Sequence, residues 1–475
     1  MSNFRRILSN FGFFLQITGL LLILPIALGL QNGELQAVTS LVATCFLSFG
    51  VGFVFNSFCE RKEMDNKTSL WLMIATFTLL PLVLMVPFIW NNVFNSVNPV
   101  DLFTNAYFET ISGFTTTGFT FVASPDLLPS SLLFYRSLVE FIGGVGFIYI
   151  LAAFLYPDDS LENYAETFGV EAISMNLKKV FTSIMLIYTV FVAVFTVIFY
   201  FTYSSNLVVA SCAAIDVLTG GYQPNVAGGI GVFQISILVL MLFGSFNFRF
   251  HYNLFRLKFR KLITPEIKLY LEIILASGLL ICILAWVNPF ESLFNVVSMT
   301  SSTGIDSFNI SSSPLPAKIV FILIGLAGGC AFSMAGGLRM QRIQLLFNSV
   351  RKGDLQPTRE ELESVLTTVA VFAATLIILS LAFSTIGIAL IDSIFEVCSA
   401  LTTNGISMGA TSVTLPIGYK LLLIFCMIIG RVEILVIFKA VKVDKLLNAL
   451  KLRNRKKRAH TTGTDPEERA LPTQL

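Results

Sequence analysis

The chain has little charge, almost no histidine and none of the common catalytic signatures. Only 13% of its 475 residues are charged, 55% are hydrophobic, and the mean hydropathy is +0.78. A soluble fold of this length needs more polar surface, so the composition excludes one and implies a polytopic membrane protein. His251 and His460 are too few and too far apart for a metal cluster. Cys45, Cys59, Cys212, Cys282, Cys330, Cys398 and Cys426 form no C-x-x-C pair and mostly fall in apolar stretches. They read as small core residues, with no disulfide frame or metal site implied. There is no P-loop, no G-x-S-x-G, no H-E-x-x-H and no carboxylate pair with a nearby histidine. The expectation is a protein that is not an enzyme, with no organic cofactor and no nucleic-acid partner. Any energy it uses comes from ion gradients or a partner.

What is present is apolar and periodic. Runs of spanning length, about 20 residues, fall near 10–30, 36–58, 69–91, 131–155, 178–203, 229–248, 268–288, 316–347, 364–386 and 415–442. Shorter apolar pieces lie near 102–115, 206–218, 290–301 and 390–402. The first run is longer than a signal-peptide core and a second follows closely, which favours an uncleaved spanning helix. Arg5-Arg6, Arg61-Lys62, Lys178-Lys179, the loop from Arg249 to Lys268, Arg339 to Arg359 and Lys451 to Arg458 share one side if ten helices alternate. The positive-inside rule then puts both termini in the cytoplasm.

Each short piece ends in a polar string closed by glycine and an apolar residue. The strings are Thr116-Thr117-Gly118-Phe119, Thr219-Gly220-Gly221-Tyr222, Ser302-Thr303-Gly304-Ile305 and Thr403-Asn404-Gly405-Ile406. Nine residues before the last glycine stand Glu109, Cys212, Asn295 and Glu396. One such string would be a packing feature, since glycine lets membrane helices approach closely. Four of them, each between a half-length and a full-length apolar segment, point to a ring about one axis. Irregular backbone at membrane depth survives only when buried or lining a watery cavity. Inward carbonyls there replace the water shell of a small cation.

The expected fold is all-α, with four helix–pore-loop–helix repeats around a pseudo-fourfold pore and two N-terminal transmembrane helices. Its divisions are 1–68 (two helices), 69–158, 159–262, 263–358 and 359–450 (pore repeats), and 451–475 (a disordered cytoplasmic tail).

Two further features carry chemistry. Gly328, Gly329, Gly336 and Gly337 frame a segment inside the 316–347 run. It is either a flexible kink or an intramembrane loop that blocks or opens a path. Arg431 lies within the last apolar run. It is either a buried structural charge paired with an acid such as Glu140, or a fixed positive barrier in a pore. Arg136 and Glu140 read as structural, fixing the first unit against its neighbours. Asp216 and Asp306, near the outer mouths, either enrich cations or are simply solvated.

These strings, with RSLVEFIGGVGFIYILA, GGCAFSMAGGLRMQRI and GRVEILVIF, resemble the Trk/Ktr/HKT superfamily of potassium transport proteins. The two leading helices point to its TrkH/TrkG-type membrane subunits. The resemblance spans nearly the whole chain. It implies a homodimer in the bacterial inner membrane with lipid around it, one potassium path per protomer, and K+ as the transported ion. It also implies a cytoplasmic ring-forming regulator with nucleotide-binding RCK domains, TrkA-like. Carried over, backbone carbonyls at Thr116, Thr117, Thr219, Gly220, Ser302, Thr303, Thr403 and Asn404 meet the ions, beside Gly118, Gly221, Gly304 and Gly405. Arg431 falls on the family's pore arginine, and 328–337 on its gating loop. Phe332 and Met334 replace smaller residues of the usual loop, and Asn404 and Gln223 depart from the filter pattern. The alternative function is a non-conducting membrane sensor, or a symporter of another solute on the same scaffold.

Overall fold

The structure, a computed structural model, describes residues 2–58, 66–150, 177–222, 231–350 and 356–432. The expected C-terminal tail, Arg61-Lys62, Gln223 and Lys451 to Arg458 lie outside these residues. Among the described residues the regular structure is helical, with no strand.

The first helices are α1 (Ser2–Leu21), α2 (Ile23–Asn32), α3 (Leu35–Phe58), α4 (Asn66–Leu84) and α5 (Val86–Trp90). Then come α6 (Pro99–Phe114), α7 (Ser130–Ile150), α8 (Leu177–Thr202), α9 (Leu207–Thr219), α10 (Val232–Ser245) and α11 (Phe248–Phe255). The last are α12 (Pro265–Ala285), α13 (Pro289–Ser301), α14 (Leu315–Ala327), α15 (Met340–Val350), α16 (Arg359–Ser384), α17 (Leu390–Leu401) and α18 (Ile417–Val432).

Six helical segments among the described residues are long and apolar enough to cross a membrane. A seventh counts if α10 and α11, bent by 109°, are taken as one span. The exposed faces of α3, α12 and α16 carry Phe46, Phe53, Leu275, Leu279, Ile283, Ile377, Ile378 and Leu381. Apolar faces of that extent suit lipid, not water. The chain is therefore a multi-pass membrane protein. The run at 316–347 is one span by composition but two helices in space, because its glycines interrupt it between Ala327 and Met340.

Four short helices, α6, α9, α13 and α17, form the inner layer. Three begin on an asparagine cap: Asn98 accepts from Val100 N–H, Asn206 from Val208 and Val209, and Asn288 from Phe290. Such a cap satisfies amides that a helix start leaves open. Each short helix packs on the closing helix of the unit before it. The pairs are α9 on α7, α13 on α10, α17 on α14, and α6 on α18. The last pair closes the circle. A glycine in the closing helix of three units lets the two backbones meet: Gly143 against the Phe114 carbonyl, Gly244 against Leu218, and Gly430 against Leu401. In the third unit Gly325 faces the Met299 side chain instead.

Candidate functional site

Past each short helix the chain enters its polar string. In units one, three and four the backbone is left-handed at Thr116, Ser302 and Thr403 (φ 55°, 58° and 50°) and again at Gly118, Gly304 and Gly405 (φ 85°, 78° and 84°). Glycine makes the second of these turns inexpensive. In unit two the helix runs on to Thr219, and the positive φ falls one residue earlier, at Gly220.

The four strings touch in order. A methyl group added to Gly118 would strike the Gly221 carbonyl, and one on Gly220 the carbonyl of Ser302. One on Gly304 would strike the Asn404 carbonyl, and one on Gly405 the carbonyl of Thr117. Units one to four thus meet head to tail in a closed ring.

The ring is buried and rich in oxygen. Thr115 and Thr117 share a hydroxyl contact of 2.8 Å, and Ser301 and Thr303 repeat it at 2.8 Å. Asn404 Nδ2 donates to the Met299 carbonyl at 2.7 Å, tying unit four to unit three. Thr116 Oγ1, Thr403 Oγ1 and Asn404 Oδ1 are buried without a protein hydrogen-bond partner. Each such oxygen costs about 1–3 kcal/mol unless something meets it. The short helices also turn their C-terminal, negative dipole ends towards the ring. No group of three or more His, Cys, Asp or Glu side chains that could hold a metal ion lies among the described residues. Neutral oxygens with helix dipoles behind them suit a weakly held monovalent cation.

The residues nine before the closing glycines pin the backbone just beyond the ring. Glu109 accepts from Phe121 N–H at 2.9 Å and from Thr120 Oγ1 at 2.9 Å. Glu396 accepts from Met408 and Ala410 N–H at 2.9 and 3.1 Å, and from the Ser407 and Thr411 hydroxyls. Asn295 Oδ1 accepts from Ser307 N–H at 2.8 Å. Cys212 has no carboxylate to offer. In its place Glu140, reaching from α7 of the preceding unit, accepts from Tyr222 N–H at 3.1 Å and from the Thr219 hydroxyl. Gly221 lies so close that a methyl group there would overlap the Glu140 carboxylate. Arg136 completes this corner. Its Nε lies 2.9 Å from Glu109 Oε1, Nη2 donates to Thr120 at 2.7 Å, and the guanidinium stacks 3.2 Å from the Tyr222 ring centre.

Beneath the ring lies the segment between α14 and α15. Gly336 N–H donates to Ser302 Oγ at 2.9 Å. A methyl group on Gly336 would meet the Thr402 carbonyl and Thr403 Oγ1. On the other side Cys330 and Met334 N–H donate to the Ser245 and Gly244 carbonyls at 3.0 and 3.1 Å. Ala331 N–H is held by Glu266 at 2.6 Å. Gly328 and Gly337 carry positive φ (68° and 83°), and Gly329 abuts Ala335 and Ser245. Arg431 is buried, with Nη1 donating to the Met334 carbonyl at 2.9 Å and Nη2 to the Gly144 carbonyl at 3.4 Å. Glu140, the acid considered as its structural partner, holds the second string instead.

Sequence reasoning missed the lysines of the outer seams. Lys420 of α18 is buried and donates to Asn105 Oδ1 of α6 and to the Val413 carbonyl, both at 2.7 Å. Lys318, also fourth in its helix, meets Asp392 of α17 at 2.8 Å. Each lysine ties a closing helix to the short helix of the next unit. The signal was available, since a lysine inside an apolar run demands a partner.

Fold and site together define a class: a multi-pass helical membrane protein built around one ring of glycine loops. A family model, TrkH, described as a cation transport protein, matches residues 288–446. The Salmonella typhimurium Trk system potassium uptake protein TrkH is 24% identical, with 91% of this chain and 97% of that protein covered. TrkH of Escherichia coli K12 is 25% identical over 91% of this chain and 97% of its own length. The crystal structure of the potassium transporter TrkH from Vibrio parahaemolyticus has the same fold, with TM-score 0.78 and 20% identity, covering 92% of this chain and 98% of that one. Over about nine-tenths of its length the chain is similar to TrkH-type membrane subunits. These relatives are transport proteins by name.

Proposed function

We propose that the chain takes up potassium across a bacterial inner membrane, through the ring formed by Thr116–Gly118, Thr219–Gly221, Ser302–Gly304 and Thr403–Gly405. The observation that carries this reading is the ring closed by four glycines, with orphaned oxygens on Thr116, Thr403 and Asn404. A cation threading the ring supplies what those oxygens lack. The names of the relatives, potassium uptake proteins, favour K+ as that cation. Each unit brings one short string, so few carbonyl layers compare potassium with sodium, and selectivity is real but modest.

In the same reading the segment 328–337 is the gate, because its Gly336 abuts the strings of units three and four. Arg431 is a fixed charge below the ring that also holds the gate shut through Met334. The active form is a homodimer in lipid, opened by a cytoplasmic nucleotide-binding regulator of the RCK type.

The test is rubidium influx into potassium-starved cells, then into proteoliposomes. Wild type conducts Rb+ and K+, and Gly405→Ser, whose side chain meets the Thr117 carbonyl, shifts the permeability ratio towards Na+. Arg431→Ala raises flux with a near-normal melting point. A large fall in melting point with no gain in flux would assign Arg431 a structural role instead. A wild-type protein that folds, inserts and passes no Rb+ favours the sensor or the symporter of another solute.

A further inference from the structure

Between α10 and α12 the chain makes more than a simple turn. α11 leaves α10 at 109°, so it lies across the run of the membrane helices. α12 is of spanning length and starts at Pro265 on its Thr264 cap, which places the preceding residues at the membrane boundary. That stretch carries charge of one sign. From Phe248 to Thr264 there are Arg249, Arg256, Lys258, Arg260 and Lys261, and no acid. Every residue from Phe255 to Lys261 is exposed, and so is Ile263. Apolar and cationic side chains alternate along it: Phe255, Leu257 and Phe259 with Arg256, Lys258 and Arg260.

The stretch is held in shape. His251 and Asn253 of α11 are buried, the histidine ring edge-on to Tyr188 and Phe191 of α8. Lys258 N–H donates to the Asn253 carbonyl at 2.9 Å, and Asn253 Nδ2 donates to the Lys261 carbonyl at 3.2 Å. Arg256 stacks 4.6 Å from the Tyr252 ring centre. At the near end Phe248 N–H donates to the Phe332 carbonyl at 3.2 Å, and Asn247 Nδ2 to Glu266 at 3.1 Å. Leu257 is left-handed, with φ 54°, a conformation glycine takes at less cost. Its side chain is nevertheless 72% exposed, so burial does not explain why a leucine stands there.

Cations alone would suit a soluble anion as well as a lipid. Exposed Phe255, Leu257, Phe259 and Ile263 among them favour the lipid, because apolar side chains enter the acyl boundary while Lys and Arg stems reach up to phosphate. We propose that residues 255–263 form a binding site for acidic phospholipid. Arg256, Lys258 and Arg260 meet the headgroup phosphate, and Leu257 and Phe259 seat in the acyl boundary beside it. The fixed turn presents both sets together, so little ordering is lost on binding.

The experiment takes the full-length protein in detergent and reads, by native mass spectrometry, its preference for phosphatidylglycerol over phosphatidylcholine. Wild type prefers phosphatidylglycerol. Lys258→Gln lowers the preference about fivefold, the effect of one cation near an acidic surface, and adding Arg256→Gln and Arg260→Gln brings the loss to roughly a hundredfold. These side chains are exposed, so the variants keep the wild-type melting point. Should the triple variant melt early, Lys258→Gln alone carries the test. Leu257→Ser with Phe259→Ser weakens phosphatidylglycerol binding with no change of charge. Arg359→Gln removes an exposed cation at the start of α16 and leaves the preference as it was. A loss there equal to that of Lys258→Gln means that only net charge counts, and overturns the proposal. Free glycerol phosphate that displaces the lipid at equal concentration marks a site for a soluble anion and also overturns it. Equal binding of the two lipids by wild type overturns it and leaves the basic turn to a soluble partner. No ion flux is read, so none of these results bears on the transport reading.

Discussion

In units one and four, a glutamate on the short helix pins the chain just past its own glycine. The second unit has Cys212 at that place and takes its clamp, Glu140, from the first unit's closing helix. The local clamps sit beyond the ring, at Phe121 and Met408. The borrowed one grips the string itself, at Thr219 and Tyr222. The task, an acceptor for amides that would otherwise be orphaned, is fixed by the backbone path. Which residue fills it is free, provided an acceptor is within reach. Borrowing has a consequence. The second string is tied to unit one by a carboxylate from that unit's closing helix. In unit two the positive φ is also displaced to Gly220, so this is where the ring departs most from fourfold symmetry.

The sharpest way to break this comparison is Glu109→Ala. It removes the local clamp of unit one and strands Arg136, which is 4% exposed, without its 2.9 Å partner. The expected loss is about 3–5 kcal/mol, the range for one half of a buried ion pair. A thermal melt in detergent checks it. Asn295→Ala tests a local clamp that carries no charge. It frees Ser307 N–H and should cost about 1–3 kcal/mol, the penalty for an orphaned donor. A cost equal to that of Glu109→Ala would mean that charge adds nothing to the clamps. The smallest effect belongs to Cys212→Ser. If Glu140 has taken over the task, this near-isosteric swap costs under about 1.5 kcal/mol and leaves the Rb+ to Na+ permeability ratio unchanged. A shift in that ratio would show that position 212 still acts on the string.

Much of the inner layer was legible because it is local. The short apolar pieces, the glycine strings and the nine-residue spacing of Glu109, Asn295 and Glu396 are read along the chain, since one helix and its following turn span that distance. The breaking of the 316–347 run was legible for the same reason, because four glycines in ten residues do not sustain a helix.

The clamp on unit two was not legible, nor were the partners of Arg431 and Lys420. Glu140 meets Thr219 and Tyr222 across 79 and 82 residues, Arg431 meets Met334 across 97, and Lys420 meets Asn105 across 315. Hydropathy and spacing determined that four short helices must bury polar strings inside a membrane, because lipid offers backbone amides nothing to bind. Only the closing of the ring, which brings α18 against α6 and α7 against α9, decided which acid holds which string. Electrostatic partners depend on distance in space, and the chain order does not encode it.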